Sequence, residues 1–331
     1  MIYIALNTLF NGVILGFLIQ IGSIIINKPL NNIEGILIGY TISAILTISG
    51  YSKLAGNIMS IFITGRKPIG REISRIEPLL QEIIDSINKN YSTNYKYQDF
   101  KIRVTDNKIA SIFALGYNTI IISSGSLDTL NDGQLKALLA HEVAHLYYRD
   151  SVHSMALIFG SLGTRIIMWI YSLVVLLRSI SLSLTNTLKS KTIISLLSFL
   201  PILLLLAIVI INWILTKAFH LLYMALSRKA EYRADAFVAA LGYKNEIIEA
   251  LDALRYVSID DNSFMGKLLS GHPAIMSRIG ALEDEEAQKQ YYVVFQSGIV
   301  VINSVISTDS KKELLILTGY LIFVGISLLI L

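Results

Sequence analysis

The chain contains no cysteine in 331 residues, which excludes disulfides, thiolate metal ligands and a cysteine nucleophile together. Charge is scarce as well. Only 16% of residues are Asp, Glu, Lys or Arg, 53% are hydrophobic, and mean hydropathy is +0.60, which excludes an ordinary soluble globular protein. No repeat of fixed period and no low-complexity linker interrupts the chain, so its polar stretches read as parts of one split domain. No nucleic-acid-binding motif is visible, and the net charge of +4 is assigned to anionic lipid and membrane topology instead.

Five apolar segments approach the roughly 20 residues that a bilayer crossing needs. They are Ile2 to Ile26, Ile36 to Ile63, Met155 to Leu177, Ile193 to Thr216 and Leu314 to Leu331. Lys53 interrupts the second, which suggests a crossing followed by a short interfacial helix. The first lacks a basic start and a small-residue cleavage site, so it is expected to remain as an anchor. Arg165 falls mid-span in the third, where a cation costs about 2.5 to 3.5 kcal/mol unless it faces a cavity or partner; an inward-facing structural arginine is favoured over a substrate contact, and no role is assigned to it.

Arg66, Lys67, Arg71 and Arg75 cluster after the second segment, whereas the loop from Lys28 to Asn32 carries one cation. The positive-inside rule then places residues 65–150 in the cytoplasm of a multi-pass cell-membrane protein. Lys217, Arg228, Lys229 and Arg233 agree with that orientation, as do Lys311 and Lys312. The loop expected from Arg178 to Lys191 works against it with three cations.

The most informative stretch is His141-Glu142-Val143-Ala144-His145. On a helix, residues four apart share a face, so His141 and His145 can bind one zinc ion while Glu142 points at its water. The helix has a start signal, because Asn131 can cap free amides and Gln134 sits where a capping box needs an amide or carboxylate. Leu135, Leu138 and Leu139 supply its apolar stripe. Metal-assisted hydrolysis with one Zn²⁺ per chain is the expected chemistry.

Two further features complete the polar region. Pro78 to Asn90 carries Leu79, Leu80, Ile83, Ile84 and Ile87 at helical spacing, and is expected to form an amphipathic core helix. Lys101 to Thr105 and Thr119 to Ser123 are short, β-branched and bounded by turn residues, and read as paired strands. A sheet edge beside a zinc helix could hold an extended peptide through backbone hydrogen bonds.

A catalytic zinc needs a third protein ligand. The His-Glu-x-x-His-x-x-Gly-x-x-His class would put Gly at 148 and His at 151, but Tyr148 and Ser151 stand there. A glutamate from a second helix is the alternative, and Ala230 to Asp235 offers Glu231 with Asp235 four residues later to orient a ligating histidine. If the zinc helix runs on into the third segment and Glu231 follows the fourth, the two form an antiparallel hairpin with adjacent cytosolic ends. At about 1.5 Å per residue, His145 would lie roughly 15 Å before Met155 and Glu231 roughly 22 Å beyond Thr216.

These residues resemble the HtpX-type membrane zinc metalloproteases, relatives of the CAAX prenyl proteases and the mitochondrial Oma-type proteases. The resemblance rests on Ala114 to Gly116, Leu139 to His145, Ser227 to Asp235 and His272 to Ile279. It implies Glu231 as third zinc ligand, Asp235 as its supporting carboxylate, and His272 and Arg278 close to the active site, where either could stabilise an oxyanion. The family often has Asn-Ala-Phe-Ala where this chain reads Ser111-Ile112-Phe113-Ala114, and the last apolar segment is not expected from bacterial members.

The expected fold is thus a mainly α membrane protein with a cytosolic α+β zincin-like (gluzincin) domain split by a transmembrane hairpin. Residues 1–64 form two spans, 65–152 the first part of the zincin domain, 153–218 the hairpin, 219–310 the second part, and 311–331 a last span. The substrates expected are membrane or damaged polypeptides, and the resemblance implies membrane-protein quality control under stress. An intramembrane site-2-type protease is disfavoured by the polar Gln134, Lys136 and Tyr147 to Asp150 around the motif. A zinc-stabilised chaperone or scaffold would not need the intact base Glu142. CAAX processing is disfavoured by the modest number of spans.

Overall fold

The computed structural model describes residues 2–25, 27–63, 65–186, 200–257 and 273–284. Their contacts divide the chain into two compact units. One holds Met1–Ser49 and Ala156–Leu222, and the other holds Gly50–Met155 and the described residues from Tyr223 to Asp284.

The first unit is helical and apolar. Helices α1 (Ile2–Ile25) and α2 (Asn32–Gly50) are each long and apolar enough to cross a bilayer, as is the stretch Asp150–Val174. Small residues let α1 and α2 approach closely. A Cβ on Gly12 would lie 2.6 Å from the Cα of Tyr40, and one on Gly16 would lie 2.5 Å from the Cα of Ile36. Hydroxyls join the helices further: Thr8 and Thr47 share a hydrogen bond of 2.8 Å, and the Ser43 hydroxyl donates to the carbonyl oxygens of Thr8 and Gly160 at 3.1 and 3.0 Å.

As Lys53 suggested, the second apolar segment breaks in two, since α2 ends at Gly50 and α3 (Lys53–Phe62) follows. The third differs from expectation. It is carried by α7 (Asp150–Gly160) and α8 (Leu162–Asn186), so Arg178 belongs to a helix and not to a loop. Arg165, expected to face inward, is exposed on α8. Of the fourth segment, residues 193–199 lie outside the described residues, and the remainder opens the long helix α9 (Leu200–Ala240). The segment Leu314 to Leu331 also lies outside them.

In the second unit, α4 (Gly70–Tyr91) starts well before Pro78, because Glu72 caps it early. The Glu72 carboxylate accepts from the backbone N–H of Ile69 at 2.7 Å and is gripped by both terminal nitrogens of Arg66 at 2.8 Å. Strands β1 (Lys101–Thr105) and β3 (Thr119–Ser123) pair in parallel as neighbours, and β2 (Ile112–Leu115) pairs antiparallel to β3. The order is β1-β3-β2, and β3 is buried along its whole length. The backbone of Arg66 bridges Val104 with two hydrogen bonds of 2.9 Å and occupies the outer edge of β1, and among the described residues no further strand pairs with β2 at the other edge.

After the short α5 (Ser124–Thr129), helix α6 (Asp132–Tyr147) carries the His-Glu-x-x-His motif. Its start matches the sequence reading: the Asn131 side chain accepts from Gln134 N–H at 2.9 Å, and the Gln134 side chain accepts from Asn131 N–H at 3.1 Å. Arg75 of α4 fixes the same end by pairing with Asp132 at 2.7 Å and donating to the carbonyls of Leu127 and Leu130. Ile76, Leu80, Ile83, Ile84 and Ile87 of α4 share one buried cluster with Leu135 and Leu139 of α6 and Ile120 and Ile122 of β3. Each contributes about 1.5–3 kcal/mol of hydrophobic stabilisation. Helix α10 (Lys244–Val257) packs on α6, and α11 (Ile275–Glu283) packs on α10.

The motif helix does not continue into the third apolar segment. It ends at Tyr147, Arg149 takes a left-handed backbone at φ +60°, and α7 starts at Asp150. The rise counted along one unbroken helix from His145 to Met155 therefore does not apply.

Candidate active site

Helix α6 brings His141, Glu142 and His145 to one end of the sheet, and α9 brings Glu231 and Asp235 on successive turns. Ring and carboxylate donor atoms of His141, His145 and Glu231 all lie within 4.8 Å of one another. The His141 Nε2 stands 3.3 Å from one Glu231 oxygen, the His145 Nε2 stands 3.4 Å from the other, and the two Nε2 atoms are 3.1 Å apart.

Each imidazole is held from behind. The His141 Nδ1 lies 3.0 Å from Asp235, and the His145 Nδ1 lies 3.0 Å from Asp150. With Nδ1–H donating to a carboxylate, each Nε2 lone pair is turned toward the common centre, the tautomer a metal ligand requires. Arg278 of α11 donates to both oxygens of Asp235 at 2.8 and 2.6 Å and stands 3.2 Å from Glu231. Arg233 pairs with both oxygens of Asp150 at 2.7 and 2.9 Å, while its guanidinium lies 4.0 Å above the Tyr148 ring.

Glu142 stands beside these three donors and is not one of them. Its carboxylate accepts from the backbone N–H of Ala114 on β2 at 2.7 Å, so the general-base candidate faces the terminal strand. Burial pushes the Glu142 carboxyl above the ordinary glutamate value, with Glu231 adding to the rise, while His145, His141 and the Ala114 N–H oppose it. Burial alone would also raise Asp235, yet Arg278 and His141 hold it at about 2. Burial works against charge on His145, but Asp150 and Glu231 raise its pKa to about 10. The carboxylates thus impose a field that favours positive charge at the Nε2 atoms, and two imidazoles with one carboxylate are a donor set suited to zinc. The residues present fit that ion.

The sequence had placed Asp235 and Arg278 near the motif, and both are there. Arg278 is 6% exposed, and its donors are directed at Asp235 and Glu231 rather than into an open space. His272 lies outside the described residues. Asp150 and the Ala114 amide were not anticipated. Asp150 is five residues beyond His145, off the face of an unbroken helix, and reaches the ring because the helix breaks at Arg149, whose backbone is left-handed. The polar run Tyr147 to Asp150 directly after the motif was the available signal.

The chain is similar to known proteases. The profile of peptidase family M48 matches residues 74–286. A protein called protease HtpX homolog from Prosthecochloris aestuarii is 27% identical over 255 residues, covering 70% of this chain and 80% of its own. One from Chlorobium luteolum is 33% identical over 186 residues, covering 50% and 57%. Protease HtpX of Pseudomonas paraeruginosa is 25% identical over 272 residues, covering 74% and 88%. Among solved structures, S. mikatae Ste24p aligns with a TM-score of 0.48 at 20% identity. That alignment covers 81% of this chain but only 63% of the Ste24p chain.

Proposed function

The chain belongs to peptidase family M48 as an HtpX-type membrane metalloprotease, and from that premise we propose that it is a zinc endopeptidase whose centre is built by His141, His145 and Glu231. The convergence of these three donors, with Glu142 one residue along the same helix, carries the reading. When bound, zinc would supply a Lewis acid that polarises a peptide carbonyl and acidifies a water.

Glu142 takes the proton of the attacking water and returns it to the departing amine. Its burial supports this, because a raised carboxyl pKa brings the group nearer to that of the proton it must exchange. Ala114 aims the carboxylate, and Asp150 and Asp235 keep both Nε2 atoms directed at the ion. Arg278 balances the charge of Asp235 and Glu231, which supports a role in positioning rather than in holding an oxyanion. The substrate lies extended along the outer edge of β2, where no further strand pairs among the described residues and Ala114 contacts the base, and is held by backbone hydrogen bonds with little sequence demand.

The catalytic residues occupy a zincin-like gluzincin domain formed by 65–152 and 219–310 around the hairpin 153–218, a division supported by the contact units. The cations from Arg66 to Arg75 support a cytosolic face and a cell-membrane location. Membrane or misfolded proteins are then the substrates, and quality control is the role the HtpX resemblance supports. His272, beside Pro273, remains a candidate contact to the reacting groups on that resemblance.

The purified full chain in detergent is expected to cleave a casein-type substrate, to stop on chelation and to recover with zinc. Glu231→Gln is expected to lose zinc and cleavage together. Full zinc occupancy in that variant would remove Glu231 from the ligand set.

A further inference from the structure

Arg165 has no place in the proteolytic site, yet it is costly where it stands. Helix α1 lies beside α7 and α8 and in step with them. The Asn7 side chain donates to the Leu157 carbonyl at 3.4 Å, Thr164 to the Asn11 carbonyl at 3.0 Å, and Tyr171 to the Leu18 carbonyl at 2.5 Å. Arg165 is therefore level with Asn11 and Gly12, inside the crossing Tyr3–Ile24. At about 1.5 Å per residue, that is roughly 12 Å from one end of the crossing and 20 Å from the other.

The side chain is exposed and makes no hydrogen bond or ion pair among the described residues. Around it on α8 and α7, Ile158, Ile166, Trp169 and Leu173 are also exposed, at 38%, 50%, 69% and 42%. A lone cation surrounded by apolar side chains at this depth requires a compensating group. This chain cannot supply one from the membrane, because none of its five apolar segments contains Asp or Glu. The same fact excludes the spans of a second copy as the source of a carboxylate.

We infer that the Arg165 face of α8 is a docking surface for a membrane-spanning segment of another polypeptide that carries a carboxylate near its mid-span. The guanidinium pairs with that carboxylate in the low-dielectric interior, and Ile158, Ile166, Trp169 and Leu173 pack against the apolar flanks of the visiting helix. The site selects membrane proteins with a buried acidic residue and is separate from the cleavage step.

The test is binding of a synthetic Leu/Ala transmembrane peptide with one central Asp, against its Asn twin, to the full chain in phosphatidylcholine nanodiscs, read by energy transfer. The Asp peptide is expected to bind wild type about tenfold more tightly than the Asn peptide. Arg165→Leu should abolish the difference and Arg165→Lys should keep most of it. Removing a cation from the bilayer does not threaten folding, and an unchanged melting curve confirms it. Equal binding of the two peptides to wild type overturns the proposal, as does a preference that survives Arg165→Leu. Loss of the preference when phosphatidylglycerol is added would overturn it too, assigning Arg165 to a lipid headgroup. A change of oligomeric state in Arg165→Leu without any Asp preference would assign the face to self-association instead.

Discussion

Asp150 stands 3.0 Å from Nδ1 of His145 although a helix terminus separates them, and its other contacts are to Arg233. The left-handed backbone at Arg149 breaks the helix and brings this carboxylate to the ring. Asp150→Asn keeps the size of the side chain but weakens the acceptor that holds the Nδ1 proton. Zinc affinity should fall by about 10- to 100-fold, as measured by competition with a chromogenic chelator, with the fold retained. Unchanged zinc affinity would mean that the contact does not orient the ligand.

Arg278 is the counter-charge for two buried carboxylates, Asp235 and Glu231. Its replacement by Gln leaves them uncompensated, and a loss of about 3–5 kcal/mol in stability is expected without zinc. Zinc should restore part of it, since the ion meets the charge of Glu231. Arg278→Lys should rescue poorly, because an ammonium cannot reach both oxygens of Asp235 and Glu231 at once. Thermal unfolding with and without zinc separates the two.

The Arg66–Glu72 pair predicts a pH dependence of stability. Hydrogen bonding from Arg66 holds the Glu72 carboxyl below its ordinary value, against the opposing effect of burial. A depressed carboxyl contributes stability that is complete above the unfolded value of about 4.3 and disappears as pH falls through the lower folded value. Wild type should therefore exceed Glu72→Gln in melting temperature at neutral pH, and the gap should narrow below pH of about 4. A gap that is constant with pH would contradict the assignment.

Gly16 faces the backbone of Ile36 so closely that any side chain must force α1 and α2 apart. Gly16→Leu is expected to cost about 1–3 kcal/mol of stability, as overpacking does elsewhere, and to lower the detergent melting temperature. Gly70→Ala, where a Cβ meets nothing within 4 Å, is the matched control and should leave melting unaffected.

What was legible in the sequence followed local rules. The capping box at Asn131 and Gln134, the four-residue spacings of His141 with His145 and Glu231 with Asp235, and the β-branched runs of β1 and β3 all depend on residues close in the chain. The misses depended on tertiary contacts. Strand β2 reads Ile112-Phe113-Ala114-Leu115, too short and unpatterned to announce itself, and forms because β3 offers it a ladder. Helix α4 extends back to Gly70 because Arg66, held by Val104, stabilises the capping Glu72. The break after Tyr147 falls where the sequence reading ran a helix straight into an apolar segment, and no Gly or Pro marks it.

Glu142→Gln in the purified full chain, with bound zinc and casein cleavage measured on the same sample, separates metal binding from general-base catalysis. One zinc per chain is expected in wild type and variant alike, with cleavage lost by at least about a hundredfold in the variant, the scale of a positioned general base. Cleavage retained with zinc bound would contradict it, because the water would then be activated by a group other than Glu142.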